Sequence, residues 1–273
     1  MKILFCGDVM GRSGRDTIVE YVPKLREDLG LDCVIVNGEN AARGIGITPK
    51  ICKLFYQHGV DVITTGNHVW AQKEIISYID SDPRLLRPLN YPKGTPGRGV
   101  TEYTLPDGRK VLVVNVMGRV FMDVLDDPFA AMKNLLEKYT LGKSVHAIIV
   151  DMHAEASSEK MSMGHYLDGS VSLVVGTHSH VPTADHMILG KGTAYQTDVG
   201  MCGDYDSVIG VKKEIPILRF TRKMPTERFS PADGEGTLCG LYVEIDDASG
   251  LATKVAPVRI GGYLSSTEPH KEN

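Results

Sequence analysis

Short, nearly unbroken apolar runs recur along the first two thirds of the chain, at residues 2–5, 33–36, 60–63, 111–116, 147–150 and 171–175. Each is rich in β-branched residues and lacks strict alternation, the pattern of a strand covered on both faces. Between them lie stretches of helical period. Ile18, Val22, Leu25 and Leu29 mark one helical face, with Pro23 inside it predicting a kink or a shifted start. Thr48 followed by Pro49 reads as an N-cap with proline in the first turn, Gly59 reads as the stop, and Asp127-Pro128 opens a further helix through Leu136. Strands alternating with helices predict a layered α/β domain. Beyond about Gly190 the texture changes, and residues 215–220, 238–245 and 253–260 read as antiparallel strands that complete a sheet. Residues 87–99, rich in Pro and Gly, read as a long surface loop or β-hairpin arm, and 265–273 as a frayed tail.

Composition narrows the class. The chain has 273 residues, 42% hydrophobic and 23% charged, which excludes a disordered chain and a small disulfide-stapled scaffold. No linker or composition break divides it, so one domain is expected over residues 1–264. The net charge of -4 provides no long-range field for gripping a polyanion. Five cysteines, odd in number and without a CxxC pair, predict reduced thiols and a cytoplasmic protein. After Lys2, only the apolar stretch from Ile3 to Cys6 precedes Gly7-Asp8, too short for a secretory h-region, and no run approaches a membrane span. No membrane partner is expected.

The candidate chemistry lies where the apolar runs stop. They are followed by Gly7-Asp8, Gly38-Glu39-Asn40, Gly66-Asn67-His68, Asp151-Met152-His153 and Gly176-Thr177-His178-Ser179-His180. A lone Asp after a strand is usually a turn or cap, and a lone His is usually a packed core residue. Five such ends in succession are another matter, because ligands of open α/β sheets bind outside the carboxyl ends of the strands. Carboxylates, carboxamides and imidazoles without cysteine form a mixed O/N donor set suited to Mn, Fe, Zn or Co. There are too many donors for one ion. Two ions about 3.5–4 Å apart, bridged by a carboxylate and a water-derived hydroxide, would use them all and clamp a displacement at phosphorus.

The motifs GD8, GE39N40, GN67H68, H153 and GTH178SH180 resemble, in order and spacing, those of the calcineurin-like metallophosphoesterases. The likeness to the YmdB-like branch extends over nearly the whole chain, including GDVMGRSGR, NGENAARGIGIT, TTGNHVW, DMHAEASSEK, VVGTHSHVPTAD and TDVGMCGDYDSVIG. The resemblance implies an α/β/β/α fold with two packed mixed β-sheets flanked by helices. It also implies a dinuclear metal-dependent phosphodiesterase acting on small phosphodiesters, 2′,3′-cyclic nucleotides among them. By position, Asp8, Asn40 and His180 would bind one metal, Asn67, His153 and His178 the other, and Glu39 would bridge. His68 would be the catalytic proton donor. The superfamily's usual DxH is here Asp8-Val9-Met10 and its bridging Asp is Glu39, with Asn40 filling the histidine's place. A carboxamide is a harder and weaker ligand than imidazole, which favours Fe or Mn over Zn; Co and Mg complete the candidates.

Arg12, Arg15 and Arg43 follow the candidate ligands in small-residue loops, and Arg12 and Arg43 are candidate phosphate contacts. Asp151 and Glu155 flank His153 and could orient metal imidazoles, while strand-end or cap roles serve equally well. His165 reads as a capping or packed residue and His186 as a surface histidine rather than a group orienting a ligand, Asp198 as part of a Gly-bounded loop that walls the pocket or forms a structural turn, and Trp70 as core in preference to a base-stacking ring. Two rival functions remain open: a regulatory or RNA-associated metal protein with vestigial hydrolysis, and a phosphomonoesterase or 5′-nucleotidase. A homo-oligomer is compatible with either.

Overall fold

The computed structural model describes residues 1–269. Along these the chain forms β1 (Lys2–Cys6), β2 (Asp8–Val9), α1 (Gly11–Leu29), β3 (Cys33–Asn37), α2 (Pro49–Gln57), β4 (Val62–Thr64), α3 (Glu74–Tyr78) and a 3-10 turn (Ile79–Ser81). It continues with β5 (Val100–Thr104), β6 (Lys110–Met117), α4 (Pro128–Leu136), β7 (Ala147–His153), α5 (Ser157–Leu167), β8 (Leu173–Thr177) and β9 (Met187–Ile188). The last elements are β10 (Ala194–Gln196), β11 (Met201–Cys202), α6 (Glu214–Arg222), β12 (Leu238–Ile245) and β13 (Ala252–Ile260). One sheet has the order β13-β12-β1-β3-β4 and the other β5-β6-β7-β8-β10-β9, while β11 and β2 form a short ribbon. Both large sheets are mixed: β1, β3 and β4 run parallel while β12 lies antiparallel to β1, and β6, β7 and β8 run parallel while β5 lies antiparallel to β6.

The alternation of side chains along each strand sets the layers. Leu4 and Cys6 of β1 pack outward with Ile18 and Val22 of α1 and Phe55 of α2. Their neighbours Ile3 and Phe5 point the other way, where with Ile35 and Val62 they meet Val113, Ile149 and Val175 of the second sheet. The far face of that sheet, Val114, Ile148 and Val174, is covered by Met132 and Leu135 of α4 and Met163 and Leu167 of α5. The order is therefore helix, sheet, sheet, helix. Because both faces of both sheets are covered, the strands carry nearly unbroken apolar runs.

Local signals account for several boundaries. Thr48 caps α2 by accepting a hydrogen bond from the Ile51 N–H at 3.3 Å, and Gly59 leaves that helix at φ 88. Asp127 caps α4 through the N–H groups of Phe129 and Ala130. Helix α1 runs through Pro23, which faces solvent, where water can satisfy the Val19 carbonyl that proline leaves without a donor.

Residues 215–220 form part of helix α6, correcting the expected strand. Pro216 cannot donate to a sheet ladder but is tolerated in a first helical turn, and Arg219 and Arg222 suit the helix's negative C-terminal end. Residues 87–99 form a loop closed on Arg87, whose guanidinium donates to the carbonyls of Pro88, Thr95 and Pro96. The expected frayed tail lies partly outside the described residues, at 270–273. Before it, Thr267 exchanges backbone hydrogen bonds with Arg259. Among the described residues, no helix is long and apolar enough to cross a membrane. All five cysteines are buried free thiols.

Candidate metal centre

The carboxyl ends of β1, β3 and β4 in one sheet and of β7 and β8 in the other meet along one seam. Asp8, Glu39, Asn40, Asn67, His68, His153, His178 and His180 all reach it. Two groups of ligand-capable atoms form there, Asp8 with Glu39 and His180, and Glu39 with His153 and His178, each with its atoms within 4.8 Å of one another. Glu39 belongs to both, and its two oxygens divide between them. Oε2 lies 3.1 Å from His153 Nε2, while Oε1 accepts from Asn40 Nδ2 at 2.9 Å. The Asn67 carbonyl oxygen joins the second group 3.0 Å from His153 Nε2.

The surroundings fix which imidazole nitrogen faces the cluster. His153 Nδ1 donates to Thr177 Oγ1 at 2.8 Å, and that hydroxyl donates to Asp151 Oδ1 at 2.7 Å, so Nε2 is turned to the seam. Asp151 is itself held by Thr64 and Asn37. His180 Nδ1 donates to the Ile209 carbonyl at 2.8 Å, leaving an Nε2 lone pair 3.2 Å from Asn40 Nδ2. His178 Nε2 contacts Glu155 Oε2 at 3.2 Å, which directs Nδ1 to within 3.2 Å of His153 Nε2. Asp151 and Glu155 thus both orient imidazoles, directly or through a hydroxyl. His178 and His180 have left-handed backbones, with φ 100 and 64, a conformation that costs non-glycine residues of order 1–3 kcal/mol each.

These residues fit a cationic group. Asp8 Oδ1 is buried without a hydrogen-bond partner, an expensive state for an acceptor unless a cation meets it. Space is reserved as well: a Cβ on Gly66 would lie 2.2 Å from both Glu39 Oε2 and His153 Nε2. Burial chiefly raises the Asp8 carboxyl to about 6, against the pull of His180 and His153. Burial also opposes the His153 cation, but Glu39, Asp8 and Asp151 push that ring up to about 9. His178 is pulled down to about 3 by burial and by its charged neighbour His153. Burial tends to raise the Glu39 carboxyl, yet His153 and His68 hold it well below the usual range.

His68, with 34% of its side chain exposed against 21% for His178, is the most open imidazole of the cluster. Its Nδ1 donates to the Asn40 carbonyl oxygen at 2.8 Å and lies 3.4 Å from Glu39 Oε1. Arg12 and Arg43 do not enter the cluster. Arg12 is exposed on α1 and pairs with Asp16 at 3.4 Å, and Arg43, left-handed at φ 57, lines a neighbouring groove. Trp70 packs edge-on against Tyr91. His165 is exposed on α5, and His186 is part-buried with Nδ1 unpartnered. Sequence reasoning did not single out Lys160, which is buried on α5 and donates to Asp198 Oδ2 at 2.8 Å and to Ser179 Oγ at 3.1 Å. Asp198 in turn accepts from the N–H groups of Ser179 and Gly200, fastening the loop that carries both histidines.

Residues 4–258 match the family described as "YmdB-like protein". The chain belongs to the YmdB-like family. It is 49% identical over 260 residues to a protein of Bacillus subtilis named 2′,3′-cyclic-nucleotide 2′-phosphodiesterase, covering 95% of this chain and 97% of the relative. A solved structure from Thermus thermophilus, described as a hypothetical protein, superposes with TM-score 0.89 at 42% identity, covering 96% of this chain and 100% of the other. One from Mycoplasma pneumoniae, described as a novel phosphatase, superposes with TM-score 0.88 at 34% identity, covering 96% and 93%. The chain thus shares its fold with solved relatives, and it has the two-sheet layering that the resemblance implies.

Proposed function

We propose that the protein is a metal-dependent phosphodiesterase that opens 2′,3′-cyclic nucleotides with two divalent or mixed-valence cations, iron or manganese. The observation that carries this reading is the pair of donor groups sharing Glu39. The name of the Bacillus subtilis relative supports the substrate class. Asp8, Asn40 and His180 would hold one cation, Asn67, His153 and His178 the other, and Glu39 both. Bound cations supply Lewis-acid charge to the phosphoryl oxygens and lower the pKa of water so that a nucleophile exists near neutral pH.

The chain's own groups supply the rest. An Asn40 carbonyl ligand requires the amide turned over from its present orientation, which hands its N–H to His68 Nδ1. The His68 proton then resides on Nε2, from which it can pass to the leaving ribose oxygen. Arg12 and Arg43 supply positive charge beside the site rather than within it. We assign the enzyme to the cytoplasm, a reducing compartment that the five buried thiols support.

The test is hydrolysis of a 2′,3′-cyclic nucleotide by protein loaded with Mn or Fe, with a chelated control and with His68→Ala. That variant should retain its metal while its rate falls by about 10²–10⁴, the usual worth of a positioned acid. Hydrolysis at the wild-type rate by His68→Ala would remove its assigned role, and a loaded enzyme without phosphodiester hydrolysis would remove the function. Paired mono- and diester substrates separate this activity from a phosphomonoesterase.

A further inference from the structure

Beside the metal centre runs a groove of about 1040 Å³ lined by Arg12, Arg15, Arg43, Lys50 and Lys53, with Asp16 and Glu74 as its carboxylates. Five cations against two carboxylates is a local reversal in a chain whose net charge is -4. Asp16 is engaged by Arg12 at 3.4 Å. Among the described residues, Arg15, Arg43, Lys50 and Lys53 have no ion-pair partner within 4.0 Å. Arg15 is fixed by a 2.5 Å hydrogen bond from Nη1 to the Ala41 carbonyl, so its position is set, with Asp16 as a nearby carboxylate but not a close ion-pair partner. The first turns of α1 and α2 also line the groove and add the positive ends of two helix dipoles.

The groove is built onto the loop that leaves the metal centre. Gly11, beside Arg12, donates its N–H to the Asn40 carbonyl at 2.9 Å. Gln72, four residues after His68, lines the groove and donates to the Ile45 carbonyl at 2.7 Å. A phosphate chain that starts at the Glu39 seam and follows residues 40–46 therefore meets Arg43 and then the lysines of α2. Among the described residues, the lining has no aromatic side chain on which a base could stack, so what it recognises is a backbone of phosphates.

We propose that this groove holds the backbone of a single-stranded RNA whose 3′ end, closed as a 2′,3′-cyclic phosphate, lies at the metal centre. The proposal rests on the phosphodiesterase reading above and extends its substrate from the mononucleotide to the oligonucleotide. A cyclic phosphate of this kind needs a ribose 2′-hydroxyl and occurs at a 3′ terminus, so the remaining phosphates run in the 5′ direction, along the groove. The reaction is that of the mononucleotide. A water oxygen bonds to phosphorus, the bond from phosphorus to O2′ breaks, and O2′ takes a proton, leaving a 3′-phosphate and a free 2′-hydroxyl.

The experiment compares a 2′,3′-cyclic mononucleotide with a short oligoribonucleotide of the same terminus, using metal-loaded wild type and the double variant Lys50→Ala/Lys53→Ala. With four phosphate contacts and about 0.7 in log–log salt slope per contact, kcat/KM for the oligonucleotide should fall on the order of 50-fold between about 50 and 200 mM salt. Loss of two contacts should reduce that slope by about 1.4 and the fall to about 7-fold, while mononucleotide kinetics stay unchanged. Equal effects on both substrates, or no preference for the oligonucleotide at low salt, would overturn the proposal. If neither substrate is hydrolysed, the phosphodiesterase reading fails and the groove is judged by fluorescence anisotropy. Salt-sensitive binding of a labelled oligonucleotide ending in a 3′-phosphate, weakened in the double variant, supports it; absence of binding overturns it.

Discussion

Replacing Lys160 by methionine removes a buried charge while nearly keeping its volume. The lysine and Asp198 are each 1% exposed, with Nζ and Oδ2 2.8 Å apart. At that distance two unit charges attract by about 6 kcal/mol at an effective dielectric constant of about 20, enough to offset much of the cost of taking both out of water. In Lys160→Met the carboxylate stays buried, with the Ser179 and Gly200 N–H groups as its remaining donors. The expected loss is about 3–5 kcal/mol, or roughly 6–20 °C in Tm, measured by urea and thermal unfolding of chelated protein. The double variant Lys160→Met/Asp198→Asn should regain part of this loss, because no uncompensated charge remains while the carboxamide oxygen serves only one of the Ser179 and Gly200 N–H groups. Since Asp198 also anchors the loop between His178 and His180, chelator competition should show metal affinity falling at least about 10-fold, within the range for groups that orient ligands. A variant that unfolds within about 1 kcal/mol of wild type, or that keeps wild-type metal affinity, refutes this account of the pair.

Gly66→Ala puts a methyl group 2.2 Å from Glu39 Oε2 and His153 Nε2, so metal content measured by elemental analysis should fall sharply; full occupancy would show that the seam can yield. Metal addition should release protons. With His153 held near 9, its ring is a cation at pH 7 in the metal-free protein and must lose a proton to act as a ligand, so titration in weak buffer should acidify the solution. A titration that binds metal without release would contradict the assigned ring. Glu39→Gln removes the carboxylate shared by both donor groups, and both metal equivalents should be lost together; one retained at wild-type affinity would show that the groups are independent.

The layered fold was legible in the sequence because strands buried on both faces leave nearly unbroken apolar runs, as at residues 111–116 and 147–150. The donor residues were legible for a related reason: each follows such a run, and parallel strands deliver their carboxyl ends to one place. Short elements were not. Strands β2, β9, β10 and β11 have two or three residues each, too few to display a period, and α6 carries isoleucine, leucine and phenylalanine that suit either structure. Lys160 could not be distinguished from a solvated helix lysine, because its partner lies 38 residues away and their meeting depends on how β8 and the following loop pack. The same holds for Thr177, whose role on His153 depends on the pairing of β7 with β8.

The edge that β1 shares with β12 has a consequence for how the enzyme is made. Every candidate metal ligand lies between Asp8 and His180, yet β1 hydrogen-bonds residues 240–244, and Gly7, just before Asp8, donates its N–H to the Cys239 carbonyl at 3.0 Å. During synthesis the first strand must wait for the twelfth, a long-range closure that slows folding. A nascent chain cut after His180 would hold all the donors but not the frame that aligns them. Metal capture is therefore expected to follow the emergence of β12, and fragments carrying the full ligand set without it should bind metal poorly.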